Sequence, residues 1–293
     1  MLYRETGLNT GPCYVQEKCG IGNICTNGVC QTGTGNTYCS GVAINTSIDD
    51  LNCGKCSNAC SGDLGCISGT CDIKYITFGH YEQDNNTSNG KEPIRWLTLD
   101  KNSSGQYLVV SEKVLDLKPY NTTYISITWE KSTIRSWLNG YGASYNTVGN
   151  NYTTDNFIDT AFTEAEKAKI IASNVPAHAN PSYSTSPGNA TTDKIFLLSI
   201  VEANNHFAND TDRRAMATLY VGNNDAYGTD YLTSDCIGAN FQMNKCSATW
   251  WLRSPGFKTD NAADVHSSGS VDYDGSFVNY DHFGVRPAMW VQF

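Results

Sequence analysis

No apolar run of the ~18 residues that a membrane-spanning helix needs occurs anywhere in the 293-residue chain. Cations are few: 20 Lys and Arg stand against 29 Asp and Glu, for a formal charge of −9, and they do not cluster. Phosphate backbones attract clustered Lys and Arg, so nucleic acid is not an expected partner. Histidine is scarcer still, with His80, His178, His206, His266 and His282 all outside any motif. Gly-x-Ser-x-Gly, His-Glu-x-x-His and the phosphate-binding Gly-x4-Gly-Lys-Ser/Thr pattern are missing. The chain therefore reads as a non-enzyme, with no catalytic residue assigned. Met1 to Glu5 has neither the basic start nor the apolar core of an export signal. A mature or trimmed ectodomain is the expectation. The most specific absence lies near the end. From Thr259 to Val285 there is no Lys, Glu, Gln, Met or Trp, where average composition predicts about three or four.

Cysteine, by contrast, is abundant and uneven. Ten of the 12 cysteines lie between Cys13 and Cys71, and only Cys236 and Cys246 follow. A stretch this short and this poor in large apolar side chains is usually held by disulfides, each worth about 2–4 kcal/mol. The expectation is a disulfide-rich module over 1–71 and a larger domain over 72–293, which carries all 6 Trp. Disulfides imply an oxidising compartment, so the chain is expected outside the cell or on a cell or virion surface. The module repeats internally: Cys19, Cys25 and Cys30 match Cys60, Cys66 and Cys71 in spacing. Asn27-Gly28 and Ser68-Gly69 read as tight hairpin turns. Cys53-x-x-Cys56 lacks a second such pair or a nearby His, which argues against zinc. The stretch Cys39 to Cys71 resembles the Stig1-type cysteine-rich repeats of secreted proteins. It departs at Ala43, where that pattern usually has Cys, so no pairing is carried over.

In the larger domain, Ile73 to Phe78, Ile94 to Leu99 (with Trp96 buried), Tyr107 to Val110 and Ile195 to Leu198 read as strands. Ser132 to Leu138 reads as a helix stopped by Asn139-Gly140. Thr163 to Glu166 and Ser199 to Glu202 are capping boxes. The first is expected to lead a helix through Ile171, the second a helix toward Phe207. From Thr249 the pattern turns to short strands. Val265, Val271 and Val278 form a thin inner face, and Ser268-Gly269 and Asp274-Gly275 sit at turns. The fold class is α+β.

Thr128-Trp129-Glu130, Ile134-Arg135-Ser136-Trp137-Leu138-Asn139, Phe196-Leu197-Leu198-Ser199, Trp250-Trp251-Leu252-Arg253-Ser254-Pro255-Gly256, Asn261-Ala262-Ala263 and Gly284-Val285-Arg286-Pro287-Ala288 recur together in one known pattern. With Ala161-Phe162 and Glu166, they resemble microbial extracellular domains with a C-type lectin fold of the formylglycine-generating-enzyme type. Several such domains are variable proteins of diversity-generating retroelements, in which adenines of one 3′ gene segment are rewritten. Randomising the first two bases of an AAC codon reaches every residue type except Lys, Glu, Gln, Met and Trp, the set absent from Thr259 to Val285. The resemblance implies a variable region of about 250–286, as counted along this chain.

The expected contact residues are Phe257, Asp260, Asn261, Asp264, His266, Ser268, Ser270, Asp272, Tyr273, Asp274, Ser276, Phe277, Asn279, Tyr280, Asp281, His282 and Phe283. Aromatic anchors with adaptable polar neighbours suit general-purpose recognition. Trp250, Trp251, Arg253 and Arg286 are expected as framework, and Cys236 with Cys246 as one disulfide rather than an oxidase's reactive pair. No cofactor and no metal ligand is assigned. A structural calcium at Asn223-Asn224-Asp225 or at Asp210 with Asp212 stays open, since carboxylate oxygens suit that ion. The expected partner is a protein ligand on another cell or host surface. A glycan is the alternative, and a formylglycine-generating-type oxidase is a third reading.

Overall fold

A computed structural model describes residues 23–26, 29–32, 36–40, 42–224 and 246–293. The chain divides into two compact units, Met1–Lys74 and Tyr75–Phe293. It is a mixed α and β protein in which sheet dominates.

The first unit is built of small antiparallel hairpins. Asn23–Thr26 pairs with Val29–Thr32, placing Cys25 opposite Cys30. Leu64–Ile67 pairs with Thr70–Ile73 in the same register, placing Cys66 opposite Cys71. Ser68 and Gly69 take φ of 49° and 79°. Two successive positive values make the turn whose twist matches the flanking strands. Disulfides join Cys39 to Cys56, Cys53 to Cys66 and Cys60 to Cys71. The facing cysteines of the Cys66–Cys71 hairpin are thus tied to different partners. Cys53 and Cys56 are both spent on disulfides and are unavailable to a metal.

The second unit holds two five-stranded sheets. The strands of these two sheets are β1 (Tyr75–Tyr81), β2 (Glu92–Lys101), β3 (Tyr107–Ser111), β4 (Asp116–Leu117), β5 (Ile170–Ile171), β6 (Trp250–Pro255), β7 (Asn261–Val265), β8 (Val271–Phe277), β9 (Gly284–Val285) and β10 (Ala288–Val291), and smaller two- and three-stranded sheets accompany them. One sheet runs β5-β10-β3-β2-β1 and is antiparallel throughout. The other runs β4-β9-β6-β7-β8, with one parallel contact, between β6 and β9. The helices are α1 (Thr133–Asn139), α2 (Phe157–Ala161), α3 (Glu164–Lys167), α4 (Ile200–His206), α5 (Asp210–Arg213) and α6 (Leu219–Asn224). Trp96, Trp250, Trp251, Tyr120, Phe157 and Phe283 are among the largest fully buried side chains. Every residue of β6 is buried, as suits a strand covered on both faces.

Local signals were realised where they are self-contained. Ser132 caps α1, and Gly140 ends it in the left-handed region at φ 69°. Both capping boxes form, at Thr163–Glu166 and at Ser199–Glu202. Three expectations need correction. The helix expected through Ile171 ends at Lys167, because the β-branched pair Ile170-Ile171 adds to the sheet edge opposite Val291 and Trp290. Ile195 to Leu198 is buried, but among the described residues it makes a single bridge, between Phe196 and Ala288. Asp274-Gly275 is not a hairpin turn. It lies inside β8, where the register against β7 shifts between the pairs Ala262–Ser276 and Asp264–Asp272. The extra residues form a bulge, with Gly275 at φ 69°.

Candidate functional site

The bulge organises the terminal segment. A buried carbonyl needs a donor, and each one here has it. Asn180 Nδ2 donates to Tyr273 O (2.7 Å) and to Pro255 O (2.9 Å). Phe257 N donates to Asp274 O (2.9 Å), and Asn261 Nδ2 donates to Gly275 O (3.0 Å). A Cβ on Gly275 would lie 2.3 Å from Ala262 O, so only glycine fits the approach.

Beneath this layer sit the expected framework residues. Arg253 ion-pairs with Glu202 and donates to Leu197 O (2.8 Å) and Pro176 O (3.1 Å). Arg286 donates to Ser111 O (2.9 Å) and Arg213 O (3.2 Å), with Phe207 and Trp250 against its guanidinium. Burial pushes the Arg286 guanidinium down to about 9. Trp251 Nε1 donates to Lys118 O (2.9 Å), and Trp250 is fully buried. Cys246 is disulfide-bonded, while Cys236 lies outside the described residues.

The expected contact residues separate by burial. Phe257, His266, Ser268, Asp274, Phe277, Asn279 and Asp281 are exposed, and Asp260, Ser270, Asp272, Tyr273, Ser276 and Tyr280 are half-buried. Asn261, Asp264, His282 and Phe283 are buried, contrary to expectation. Asn261 is spent on the bulge carbonyl. Phe283 packs against Trp251 with ring centroids 4.5 Å apart, and the His282 ring lies between Tyr280 and Phe283. Of the expected inner valines, Val265 and Val278 are buried and Val271 is half-buried.

Two aromatic clusters reach solvent. In one, Phe277 meets Tyr124 (5.2 Å) and Tyr280 (5.5 Å) edge to face, and Tyr124 Oη donates to Asp260 Oδ2 (2.9 Å). In the other, Tyr183 meets Phe257 (6.3 Å) and hydrogen-bonds Asp274, while Asn204 Nδ2 donates to Tyr273 Oη (3.0 Å). Tyr124 (51% exposed) and Tyr183 (37%) come from loops far earlier in the chain and were missed by sequence reasoning. Their signal was local: a lone tyrosine in the polar runs Asn121-Thr122-Thr123-Tyr124 and Ser182-Tyr183-Ser184-Thr185.

Asp264 stands apart from both clusters. It is fully buried, and neither carboxylate oxygen has a hydrogen-bond partner among the described residues. Burial raises its carboxyl well above the usual carboxylate range. The Asp272 charge adds to this, and the Ser276 hydroxyl, which approaches the carboxyl without meeting hydrogen-bond geometry, partly opposes it.

Other polar groups have structural work. His178 Nδ1 lies 2.8 Å from Ser199 Oγ, but that hydroxyl is fully buried and accepts from Glu202 N as the cap of α4. It cannot meet a substrate. Asp210 pairs with Arg213, and Asp212 accepts from Asn209, so the carboxylates considered for calcium are engaged in α5 and its cap. Asp225 lies outside the described residues. A polar cleft of about 450 Å³ is lined by Tyr75, Arg95, Glu112, Lys113, Arg214 and Arg286, with Arg95 paired to Glu112 at 2.9 Å. Among the described residues no helix is long and apolar enough to cross a membrane.

Residues 104–293 match the model of a family described as a domain of unknown function, DUF6273. No curated protein and no solved structure matches the chain.

Proposed function

The chain belongs to the DUF6273 family, and we propose that it is a non-enzymatic extracellular ligand-binding protein that displays a diversified contact surface. The observation that carries this reading is the pair of aromatic clusters that reach solvent, one at Tyr124 and Phe277 with half-buried Tyr280 beside them and one at Tyr183 and Phe257, set on a buried framework. Large aromatic rings left in solvent beside a complete core mark an interaction surface. Tyrosine and phenylalanine offer contact area at small rotamer cost, and the surrounding Asp, Asn and Ser offer adaptable hydrogen bonds. The fold proposed for Tyr75–Phe293 is C-type lectin-like, of the formylglycine-generating-enzyme type, and the module before it is Stig1-like. Disulfides at the density seen from Cys39 to Cys71 persist in oxidising compartments, which supports a place outside the cell or on a surface.

Diversification by a retroelement is part of the proposal. It is supported by the missing Lys, Glu, Gln, Met and Trp between Thr259 and Val285. Burial sharpens what it requires. Related copies should vary at exposed Phe257, Asp274, Phe277 and Asn279, and far less at buried Asn261, Asp264 and Phe283, where changes cost several kcal/mol. An adenine-rich near-copy of the segment should lie beside the gene. Differences spread evenly along the chain would refute this origin.

The binding experiment compares the wild-type chain with Tyr124→Ala/Phe277→Ala/Tyr280→Ala in a surface-protein pull-down and on a glycan array. A loss of about 30-fold or more is expected, the scale of an anchor worth about 2 kcal/mol. Loss from the pull-down supports a protein ligand, and loss from the array supports a glycan. Binding left intact in both would reject this face as the contact surface.

A further inference from the structure

Asp264, His266 and Asp272 converge at one end of the β7–β8 hairpin. Asp264 and Asp272 are directly opposed in the strand register. His266 follows Asp264 by two residues and so projects from the same face. Its N–H donates to Ser270 O (2.9 Å), which continues the ladder past the end of β7. One ligand atom from each of the three residues lies within 4.8 Å of the others. The Asp264 carboxylate is fully buried, is aimed at this point, and has no hydrogen-bond partner on either oxygen among the described residues. A buried carboxylate with no partner on either oxygen is rare, and a bound cation at this point would compensate it.

Hydrogen bonding to His266 does not. Nε2 lies 3.8 Å from Asp264 Oδ1 and 3.4 Å from Asp272 Oδ2, whereas N–H···O bonds centre near about 2.9–3.0 Å. Those separations instead approach the edge of a tetrahedron around Zn2+. With metal–ligand bonds of about 2.0–2.1 Å, that edge is about 3.3–3.4 Å. We propose that Asp264, His266 and Asp272 bind one divalent transition-metal ion of the Zn2+ class, with its fourth position open toward solvent. Three protein ligands including an imidazole suit such an ion. Calcium requires about 6–8 oxygens at longer distances.

The surroundings hold the ligands in place. Asp274 N donates to Asp272 Oδ1 (3.0 Å), which leaves Oδ2 facing His266. The turn between the strands is pinned where Arg213 Nε donates to Gly269 O (3.0 Å). Gly269 has φ 92°, and a Cβ there would lie 1.7 Å from Asp210 O. Supports of this kind orient metal ligands. The half-buried trio Glu82, Asp84 and Glu92 also converges, but backbone N–H groups of Gln83, Asp84 and Asn86 already donate to its oxygens. The proposed metal site stands on its three side chains whether or not the aromatic clusters bind a partner.

The test uses the untagged full chain, stripped with EDTA and dialysed. It is titrated by calorimetry with ZnCl2 and separately with CaCl2, and retained zinc is measured after gel filtration. One Zn2+ per chain and a zinc-dependent rise in Tm are expected, with no comparable uptake of Ca2+. His266→Ala should weaken zinc binding by about 10–100-fold or more, and Asp264→Asn should abolish the rise in Tm. The His266 side chain is 52% exposed, so its removal should leave the fold intact, and Asp264→Asn replaces one ligand oxygen at nearly constant volume. Circular dichroism confirms that both variants are folded. A wild-type chain that retains no zinc, or folded variants that retain as much as wild type, would overturn the assignment. Calcium uptake without zinc uptake would overturn it as well.

Discussion

His206 and His178 share a response to burial: desolvation holds both imidazoles below their ordinary value of 6.5, although Asp100 and Glu202 pull His206 back and Glu202 pulls on His178. Glu202 feels burial too, which raises its carboxyl. Its hydrogen bonds and attraction to Arg253 outweigh that and leave it below the ordinary 4.5. All three shifts have the same consequence in acid. A histidine whose folded value is lowered binds its proton first in the unfolded chain, so stability falls as pH drops below 6.5. A glutamate whose folded value is lowered stabilises fully above 4.5 and loses that contribution as pH falls through the folded value. These three groups therefore withdraw stability in two stages, one beginning near pH 6.5 and one below 4.5, while the raised Asp264 carboxyl acts in the opposite direction. His206→Gln should shrink the first stage and leave the second. A change in Tm between pH 7 and pH 5 that is identical in wild type and His206→Gln would contradict the assignment. Arg253–Glu202 is the more demanding pair, because removing one partner of a buried ion pair costs about 3–5 kcal/mol.

At the scale of elements, the sequence was legible wherever a signal is complete within one turn of chain. Ser132, Gly140, Thr163–Glu166 and Ser199–Glu202 were all readable because a cap needs only its own neighbours. The β8 bulge was not. Its glycine resembles a hairpin turn in sequence, and what makes it a bulge is the carbonyl of Ala262 on the adjacent strand. The same limit applies to the candidate surface. Phe277 and Phe283 are the same residue type in similar polar company, yet one is 41% exposed and the other 1%, because Trp251 receives the second. Gly275→Ala tests the bulge. It combines left-handed strain with a clash against backbone and should cost about 2–4 kcal/mol by urea denaturation. Gly105→Ala is the matched control: φ is 76°, but a Cβ there meets nothing within 4 Å, so strain alone should cost about 1 kcal/mol. Equal costs would mean that the close approach to Ala262 is unimportant.

At the scale of the whole molecule, the two units are stabilised by different means. Met1–Lys74 has disulfides closing short loops, with sequence separations of 17, 13 and 11. Loops of about 15 residues are worth about 3 kcal/mol each. Beyond Cys39, Cys53, Cys66 and Ile67, few of its described side chains are buried apolar ones. Tyr75–Phe293 carries every tryptophan of the chain on a continuous apolar core. Cys246 in this unit is disulfide-bonded and fully buried, which shields its own sulfur from thiol attack. Reduction should therefore separate the units energetically. Over a dithiothreitol titration under native conditions, new proteolytic cuts should appear between Cys39 and Cys71 while tryptophan emission stays native. The small unit loses about 2–4 kcal/mol with each bridge, close to the whole stability available to a domain of its size. The large unit keeps its packing. Simultaneous loss of the tryptophan signal and protease resistance at one reductant concentration would show that the core depends on the bridges, and that burial in the second unit is not self-sufficient.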